Sequence, residues 1–464
     1  VPGYTPPEWV AALEDRLKAQ ARDAQKWSRY YGGTQPMSYM APELVKEIGD
    51  RIRPVVLNWP RLVVDSLEER LDVEGFRYGS DAAADSRLWE WWQANDMDEQ
   101  SQMGHVDSLA SACSFVIVGA GDDSDTPVIT VESPEQVTVD FDPRTRVVRA
   151  AWKSWTDKPA GMDYATLYLP DETIAYARDA SAASTPGDWQ EQSRDEHRMG
   201  RVPVVPLVNR PRILSPLGVS ELVDVVPLSD AACKVATDMM VSAEFHAMPR
   251  RWVVGMTEED FKDAQGNKIS EWSKVAGRIW ASAMLPSEVQ VGQFPEANLS
   301  NFHETINALA KLTASMAGLP PHALGMATDN PASADAIRSS EARLVKRAER
   351  RQRSFGGAWE QVMRLCLLVV DGEVPTEARS LATVWRDAST PTVAQKADAA
   401  VKLHAAGIAT NRQAREDVGY SASQIARMET EDDSAVSRIL AGDLASLTGP
   451  KPTPAPTAPD AVAV

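Results

Sequence analysis

Only three cysteines, Cys113, Cys233 and Cys366, occur in the 464 residues. They lie far apart and are odd in number, which excludes a disulfide framework and a Cys-type zinc site. The six histidines (His105, His197, His246, His303, His322 and His404) form no H-E-x-x-H and no metal-ligand spacing. No G-x-x-x-x-G-K-[ST] is present, so no P-loop is available for ATP hydrolysis. Gly119-Ala120-Gly121 lacks the third glycine of a dinucleotide fingerprint and reads as a hairpin junction. Asp122-Asp123-Ser124-Asp125 opens like a calcium loop, but Pro127 replaces the required glycine and Ser133 the terminal glutamate. A G-x-S-x-G nucleophile elbow is missing as well. No run approaches the ~18 apolar residues of a membrane span. The start, Val1-Pro2-Gly3-Tyr4, has no charged-then-apolar order, so no secretory leader is expected. The expectation is a protein made in a reducing cytoplasm, with no catalytic residues, no cofactor, no metal and no membrane anchor.

What is present is acid. The chain carries 66 Asp and Glu against 48 Lys and Arg, a net charge of −18. A surface of that sign does not grip duplex DNA through a general electrostatic footprint, although it can let a polyanion slide past. Hydrophobic residues make up 43% and charged residues 25%, the proportions of a folded protein with more than one core.

The periodicity predicts an α+β chain. Glu8 to Tyr30 is an amphipathic helix stopped at Gly32-Gly33. Asn58 is the expected N-cap of a second helix, with Pro60 near its start and Val63, Val64, Leu67 and Leu71 on one face. A third begins at Leu88-Trp89-Glu90-Trp91-Trp92, whose tryptophans suit a core or subunit contact. Short β-branched or aromatic runs then alternate with turns at Ser114–Gly119, Val128–Val131, Val137–Phe141, Val147–Trp152, Ala165–Leu169 and Ile174–Arg178. This predicts an antiparallel meander. Ala180–Asp188 reads as a loop tip, and Val202–Val208, broken by Pro203 and Pro206, as an edge strand. Helix is expected again from about Gly218 to His246. A mixed stretch from 250 to 295 follows, with strands at Arg251–Val254 and near Gly277–Ala281 and Glu288–Val291, and a short helix near Glu258–Asp263. Ala382–Arg386 reads as a lone strand, and Thr392 to Leu447 as helix broken at Gly407 and Gly419. Residues 449–464, with five prolines, read as a disordered tail.

The most distinctive segment runs from Leu299 to Val370. Leu299, Phe302, Ile306, Leu309, Thr313 and Met316 form one helical seam. The elbow Gly318-Leu319-Pro320-Pro321 ends it, and a loop through Asp329-Asn330-Pro331 follows. A much longer helix then carries Ile337, Leu344, Ala348, Phe355, Trp359, Val362, Cys366 and Val369 on one face. Between Arg338 and Arg353 lie seven basic residues (Arg338, Arg343, Lys346, Arg347, Arg350, Arg351 and Arg353) against only Glu341 and Glu349.

The order of these parts resembles the portal protein of tailed bacteriophages, of the siphophage type and from an actinobacterial phage. Local sequences carry the resemblance. Asn58-Trp59-Pro60-Arg61-Leu62-Val63-Val64-Asp65-Ser66-Leu67 with Val73-Glu74-Gly75-Phe76 is similar to the family's N-terminal signature. Gly218-Val219-Ser220-Glu221-Leu222 is similar to the opening of its first stem helix. Ala317-Gly318-Leu319-Pro320-Pro321 with Asn330-Pro331-Ala332-Ser333-Ala334-Asp335-Ala336 is similar to its tunnel-loop region. Trp385-Arg386-Asp387 and Ala405-Ala406-Gly407-Ile408 match its C-terminal pattern.

The resemblance implies a ring-forming subunit, usually dodecameric, at one capsid vertex. DNA is packaged, retained and ejected through the ring. By position it implies a wing (1–215, helical and then β meander 113–210, with a return strand in 372–391), a first stem helix (216–248) and a clip (249–295). After these come a second stem helix (296–317), a tunnel loop (318–333), the long basic helix (334–371) and a crown (392–448). Gly318, Leu319, Pro320, Pro321, Asp329, Asn330 and Pro331 become candidates to face the channel. Arg251, Trp252, Glu258, Glu259, Trp272 and Trp280 become candidates to meet the motor and connector. Implied partners are further copies of the chain, the terminase packaging motor, a head–tail connector or adaptor, the major capsid and scaffold proteins, and double-stranded DNA passing without tight binding. The implied location is the virion, after assembly in the host cytoplasm. The basic stripe has two readings, inter-subunit ion pairs or a positive ring meeting DNA, and helix-face charges more commonly serve pairing or solvation. Another head or adaptor protein, or a hydrolase with a spatially assembled carboxylate pair, are the alternatives.

Overall fold

The computed structural model describes residues 4–36, 55–79, 84–121, 125–180, 189–247, 251–254, 290–293, 299–325, 334–389, 393–420 and 424–434. The chain divides into two compact units, Val1–Ser80 with Asp85–Ser389, and Asp81–Ala84 with Thr390–Val464.

The first unit opens with α1 (Pro6–Gly32), whose start is a capping box between Thr5 and Glu8. Next comes α2 (Trp59–Glu68), where the Asn58 side chain accepts from the Arg61 amide as expected. Strand β1 (Val73–Arg77) precedes α3 (Ser86–Ala94) and α4 (Met97–Ser111). Helix α4 was not legible in the sequence. Its buried residues include Ser101, Gly104, His105 and Ser108, so no apolar stripe announces it, while Gln102 and Met103 stay exposed on the other face.

The expected single meander is two sheets. Strands β2 (Cys113–Gly119) and β3 (Val128–Glu132) join β9 (Val204–Val208) in the order β3-β2-β9, so the proline-bearing strand does lie at an edge. Strands β4 (Val137–Phe141), β5 (Val148–Asp157), β6 (Met162–Tyr168), β7 (Thr173–Asp179) and β8 (Gln190–Asp195) form the second, in sequence order. Strand β8 is exposed along its whole length, so it has no apolar alternation to read. Pairing with β7 defines it instead.

The pleat of β2 explains the layering. Its alternate residues Val116 and Val118 join the main core, while Cys113, Phe115 and Ile117 face Val137, Val139 and Ala151 of the second sheet. Helix α1 covers the other side of that sheet, with Trp9, Val10, Leu13 and Leu17 on Ala150, Trp152, Leu167 and Ile174.

Helix α5 (Val226–Ala247) begins eight residues later than the expected Gly218. The backbone explains the delay. Gly218 sits at φ +81° and the Glu221 amide donates to the Leu109 carbonyl at 2.9 Å, so 218–225 is held in turns. Pro227 then falls at the second helical position, where a missing amide costs nothing. Strands β10 (Arg251–Val254) and β11 (Gln290–Gln293) pair antiparallel. The expectations for Glu258–Asp263 and Gly277–Ala281 lie outside the described residues, as do nearly all of the 180–188 loop and the 449–464 tail.

Helix α6 (Ser300–Ala317) packs on α5. Its seam is shifted from the expectation. Thr313, Ala310, Ala314 and Ala317 are buried, Phe302, Ile306 and Leu309 are half-buried, and Met316 is exposed. A short 3₁₀ turn at Pro321–Leu324 precedes α7 (Ala334–Asp371), which runs over the expected 38 residues. On α7, Leu344, Ala348, Phe355, Trp359, Val362 and Cys366 are all buried in the main core with Trp92, Phe76 and Leu67. Gly356 lies within this helix where strand β12 (Ala382–Trp385) passes close to it. A Cβ at Gly356 would lie 3.0 Å from the Trp385 indole nitrogen, and Thr383 Oγ1 donates to the Gly356 carbonyl at 3.0 Å. Strand β12 is not alone: it pairs with β1.

In the second unit, α8 (Val393–Ala405) packs on α9 (Asn411–Val418), and a further helix spans 424–434. The breaks fall at Gly407 and Gly419. Arg412 pairs with Glu429 and Arg415 with Asp432, tying α9 to the last helix.

Candidate functional site: a basic cleft around Glu221

Beneath the basic stripe of α7 lies Glu221, a carboxylate whose side chain is fully buried. The turn that carries it is pinned from two directions. Asn209 Nδ2 donates to the Val219 carbonyl at 2.8 Å and the Val219 amide donates to the Asn209 carbonyl at 3.0 Å. Ser220 Oγ donates to the Ala110 carbonyl at the end of α4. The Glu221 side chain therefore points at α7 from a fixed base.

Arg347 and Arg351, one turn apart on α7, each take one Glu221 oxygen. Arg351 also donates through Nε to Asn209 Oδ1 at 3.0 Å. Arg210 adds longer pairs to Glu221, at 3.9 Å, and to Asp224, at 3.7 Å. Burial pushes the Glu221 carboxyl up, but Arg347, Arg351 and Arg210 together reverse this and hold it below the ordinary carboxylate range. Burial likewise draws Arg347 down, and Glu221 opposes that shift. Two arginines at adjacent turns would repel; the shared carboxylate between them makes the arrangement stable.

Arg347 and Arg351, expected at a subunit contact or facing DNA, are both held within the subunit by an acid of their own chain. Arg347→Glu would face Glu221 directly and disturb the subunit before any assembly.

Above the buried pairs opens a cleft of about 960 Å³. Seven cations line it: Arg210, Arg212, Arg343, Lys346, Arg347, Arg350 and Arg351. Glu221 and Asp224 are its acids, and Met316, Ala317, Val223 and Val225 part of its apolar wall. Arg343 donates to the Ser315 carbonyl at 2.9 Å, capping the C-terminal end of α6, where the helix dipole favours a cation. Lys346 pairs with Glu349 at 2.6 Å, and Arg353 approaches the same carboxylate at 3.8 Å. Of Arg338 only the helical backbone is described.

The other sequence candidates are dispersed. Gly318, Leu319 and Pro320 are buried, and Leu319 belongs to the main core, so these three pack inside the subunit instead of facing an open channel. The elbow is a helix stop first: Gly318 takes φ +68° and the Leu319 amide returns to the Ala314 carbonyl. Pro321 starts the 3₁₀ turn, while Asp329, Asn330 and Pro331 lie outside the described residues. Arg251 and Trp252 stand in β10 opposite Gln293 and Gly292. Glu258, Glu259, Trp272 and Trp280 lie outside the described residues. Among the described residues no group of three or more His, Cys, Asp or Glu could hold a metal ion, and no helix is long and apolar enough to cross a membrane.

Sequence reasoning assigned Glu221 to a helix start and overlooked Asn209, Arg210, Arg212 and Asp224. One signal was available. Arg351 falls in the apolar seam between Ala348 and Phe355, and a charge at a seam position demands a buried partner.

The family model described as "Phage portal protein, SPP1 Gp6-like" matches residues 11–438. The chain belongs to the phage portal protein family. The portal protein of Mycobacterium phage L5 is 36% identical over 479 residues, covering 99% of this chain and 94% of the relative. That of Mycobacterium phage D29 is 35% identical over 469 residues, covering 97% and 93%. Among solved structures, a chain from the neck of a native GTA particle, computed with C12 symmetry, aligns with a TM-score of 0.43 at 13% identity. That alignment covers 86% of this chain and 93% of the other. The resemblance read in the sequence is thus borne out, including its actinobacterial-phage character. The site around Glu221 is a feature of a portal-family subunit.

Proposed function

We propose that the chain is one subunit of a closed ring, usually dodecameric in this family, at a single vertex of a phage head. The genome is packaged, retained and released through it. The family match over residues 11–438, with relatives named portal protein aligned over nearly their whole length, carries this reading. In this assignment 1–215 with the return strand in 372–391 is the wing, 216–248 and 296–317 are the stem helices, and 249–295 is the clip. The loop 318–333 follows, its channel-facing part beyond the buried elbow; 334–371 is the spine and 392–448 the crown. Several observations support the assignment. Helices α5 and α6 pack on each other, β10 and β11 pair between them, and a separate compact unit begins at Thr390. The clip docks the terminase motor and later the head–tail connector, the wing meets capsid and scaffold proteins, and assembly takes place in the host cytoplasm.

Net charge fits the task. A duplex must slide, and a lumen dominated by carboxylates does not hold phosphates through released counterions. Imaging the purified chain, and the vertex of particles containing it, tests the proposal. Rings with a central channel are expected; particles that package DNA normally without the protein would refute it.

A further inference from the structure

The cleft beside Glu221 holds more positive charge than its own chain neutralises. Arg212 and Arg350 line it with no ion pair among the described residues, and Arg347 keeps its Nη1 buried without an acceptor. Immediately after Arg212 the chain makes a tight turn, closed by reciprocal backbone bonds between Arg212 and Ser215 at 3.1 and 3.0 Å. The tip of that turn presents Ile213 and Leu214 at 79% and 94% exposure. Met316 on the cleft wall and Leu312 one turn before it are also about half exposed. A single exposed leucine needs no explanation, but two at a turn tip beside a charged cleft form a patch.

We infer that this face is a contact between copies of the chain: carboxylates of a second copy seat on Arg212, Lys346 and Arg350, and the same neighbour covers Ile213 and Leu214. The inference rests on the ring reading above and names the surface that builds it. Three arguments favour a second copy. Each copy carries 66 acids against 48 bases, so the anion is always at hand. Copies of charge −18 repel at a distance, and association needs a local patch of opposite sign. A basic cleft beside an apolar tip is not self-complementary, so the contact is head-to-tail, the kind that closes into rings. A phosphate backbone would match the charge and leave Leu214 uncovered, whereas protein surfaces supply both.

Full-length chain grown with and without heavy nitrogen is mixed, assembled and treated with a carbodiimide that joins amines to carboxylates. Peptides linking Lys346 of one isotope to an Asp or Glu of the other are expected beside the internal link to Glu349. In parallel, Arg212→Glu with Arg350→Glu is expected to raise the concentration at which rings form by about tenfold or more, with the thermal midpoint of the monomer unchanged. Leu214→Asp should do the same. Wild-type rings with no mixed-isotope Lys346 peptide would overturn the inference while leaving the ring intact. Variant rings that form normally but no longer retain a short duplex would overturn it in favour of phosphate. A wild-type chain that stays monomeric at every concentration would instead sink the ring reading itself.

Discussion

Arg351, in the middle of α7, closes on Glu221 from a position 130 residues later in the chain, and Asn209 takes its remaining Nε at 3.0 Å. The pair joins the long helix to the end of α4 through the turn at 218–225. Removing one partner of a buried pair leaves an uncompensated charge, which costs about 3–5 kcal/mol. Glu221→Gln is therefore expected to lower the thermal midpoint markedly. Replacing all three charges together, with Glu221→Leu, Arg347→Met and Arg351→Met, should cost less than the single change, because no charge is then left buried. Equal losses in the two proteins, followed by calorimetry, would show that charge pairing is not what holds this joint.

Gly218 supplies a second test of the same turn. At φ +81° a side chain is strained, and a Cβ there would overlap the Asn209 carbonyl oxygen and lie 2.9 Å from that of Ala112. Since the clash is with backbone, no rotamer relieves it. Gly218→Ala is expected to destabilise by more than about 2 kcal/mol, read as a shift of the urea midpoint.

Two groups, Glu68 and His105, give opposite pH slopes. Burial, then Asp72, Asp65 and Glu69, raise the Glu68 carboxyl from 4.5 to about 7. The fold therefore binds this proton more tightly than the unfolded chain, and the contribution to stability is lost as pH rises from about 4.5 to 7. Burial also drives His105 from 6.5 down to about 3; its Nε2 accepts from Trp359 at 3.0 Å and its ring stacks on Phe355. Here the unfolded chain binds the proton and the fold does not, so stability is lost as pH falls below about 6.5, by up to about 1.4 kcal/mol per unit. Between about 4.5 and 6.5 the two oppose each other. Solvent reduces the Glu68 effect, since that carboxylate is only partly buried. In Glu68→Gln the His105 slope should stand alone: the variant is more stable than wild type at pH 8 and falls more steeply in acid. Midpoints measured from pH 4 to 8 decide this, and a wild-type-like profile would count against the buried state of Glu68.

Deleting residues 323–330 probes the channel assignment. Rings are expected to form as before, because Leu319 and the α6 stop remain in the core, while packaged DNA is retained poorly. Normal packaging and retention would reduce that loop to a spacer.

Much of the fold could be read along the chain because local chemistry decides it. The Asn58 cap, the seam of α7 from Leu344 to Cys366 and the edge position of the Pro203–Pro206 strand each depend on nearby residues. Where the reading failed, the determinants were distant. Helix α4 shows no stripe because its core-facing residues include polar Ser108, whose hydroxyl bonds that of Ser114 in β2 at 2.8 Å inside the core. Strand β8 exists through β7, and the meander divides because alternate residues of β2 serve two different cores.

The basic stripe shows the division most clearly. Sequence alone determined that seven cations would ride one long helix in an acidic chain, since period and composition are local properties. Tertiary structure decided what each one does. Arg347 and Arg351 turn in to Glu221, Arg343 caps α6, and Arg350 lines the cleft with no ion pair among the described residues. The physical reason is burial: whether a charge must be paired depends on the solvent left around it, and only the packed chain sets that.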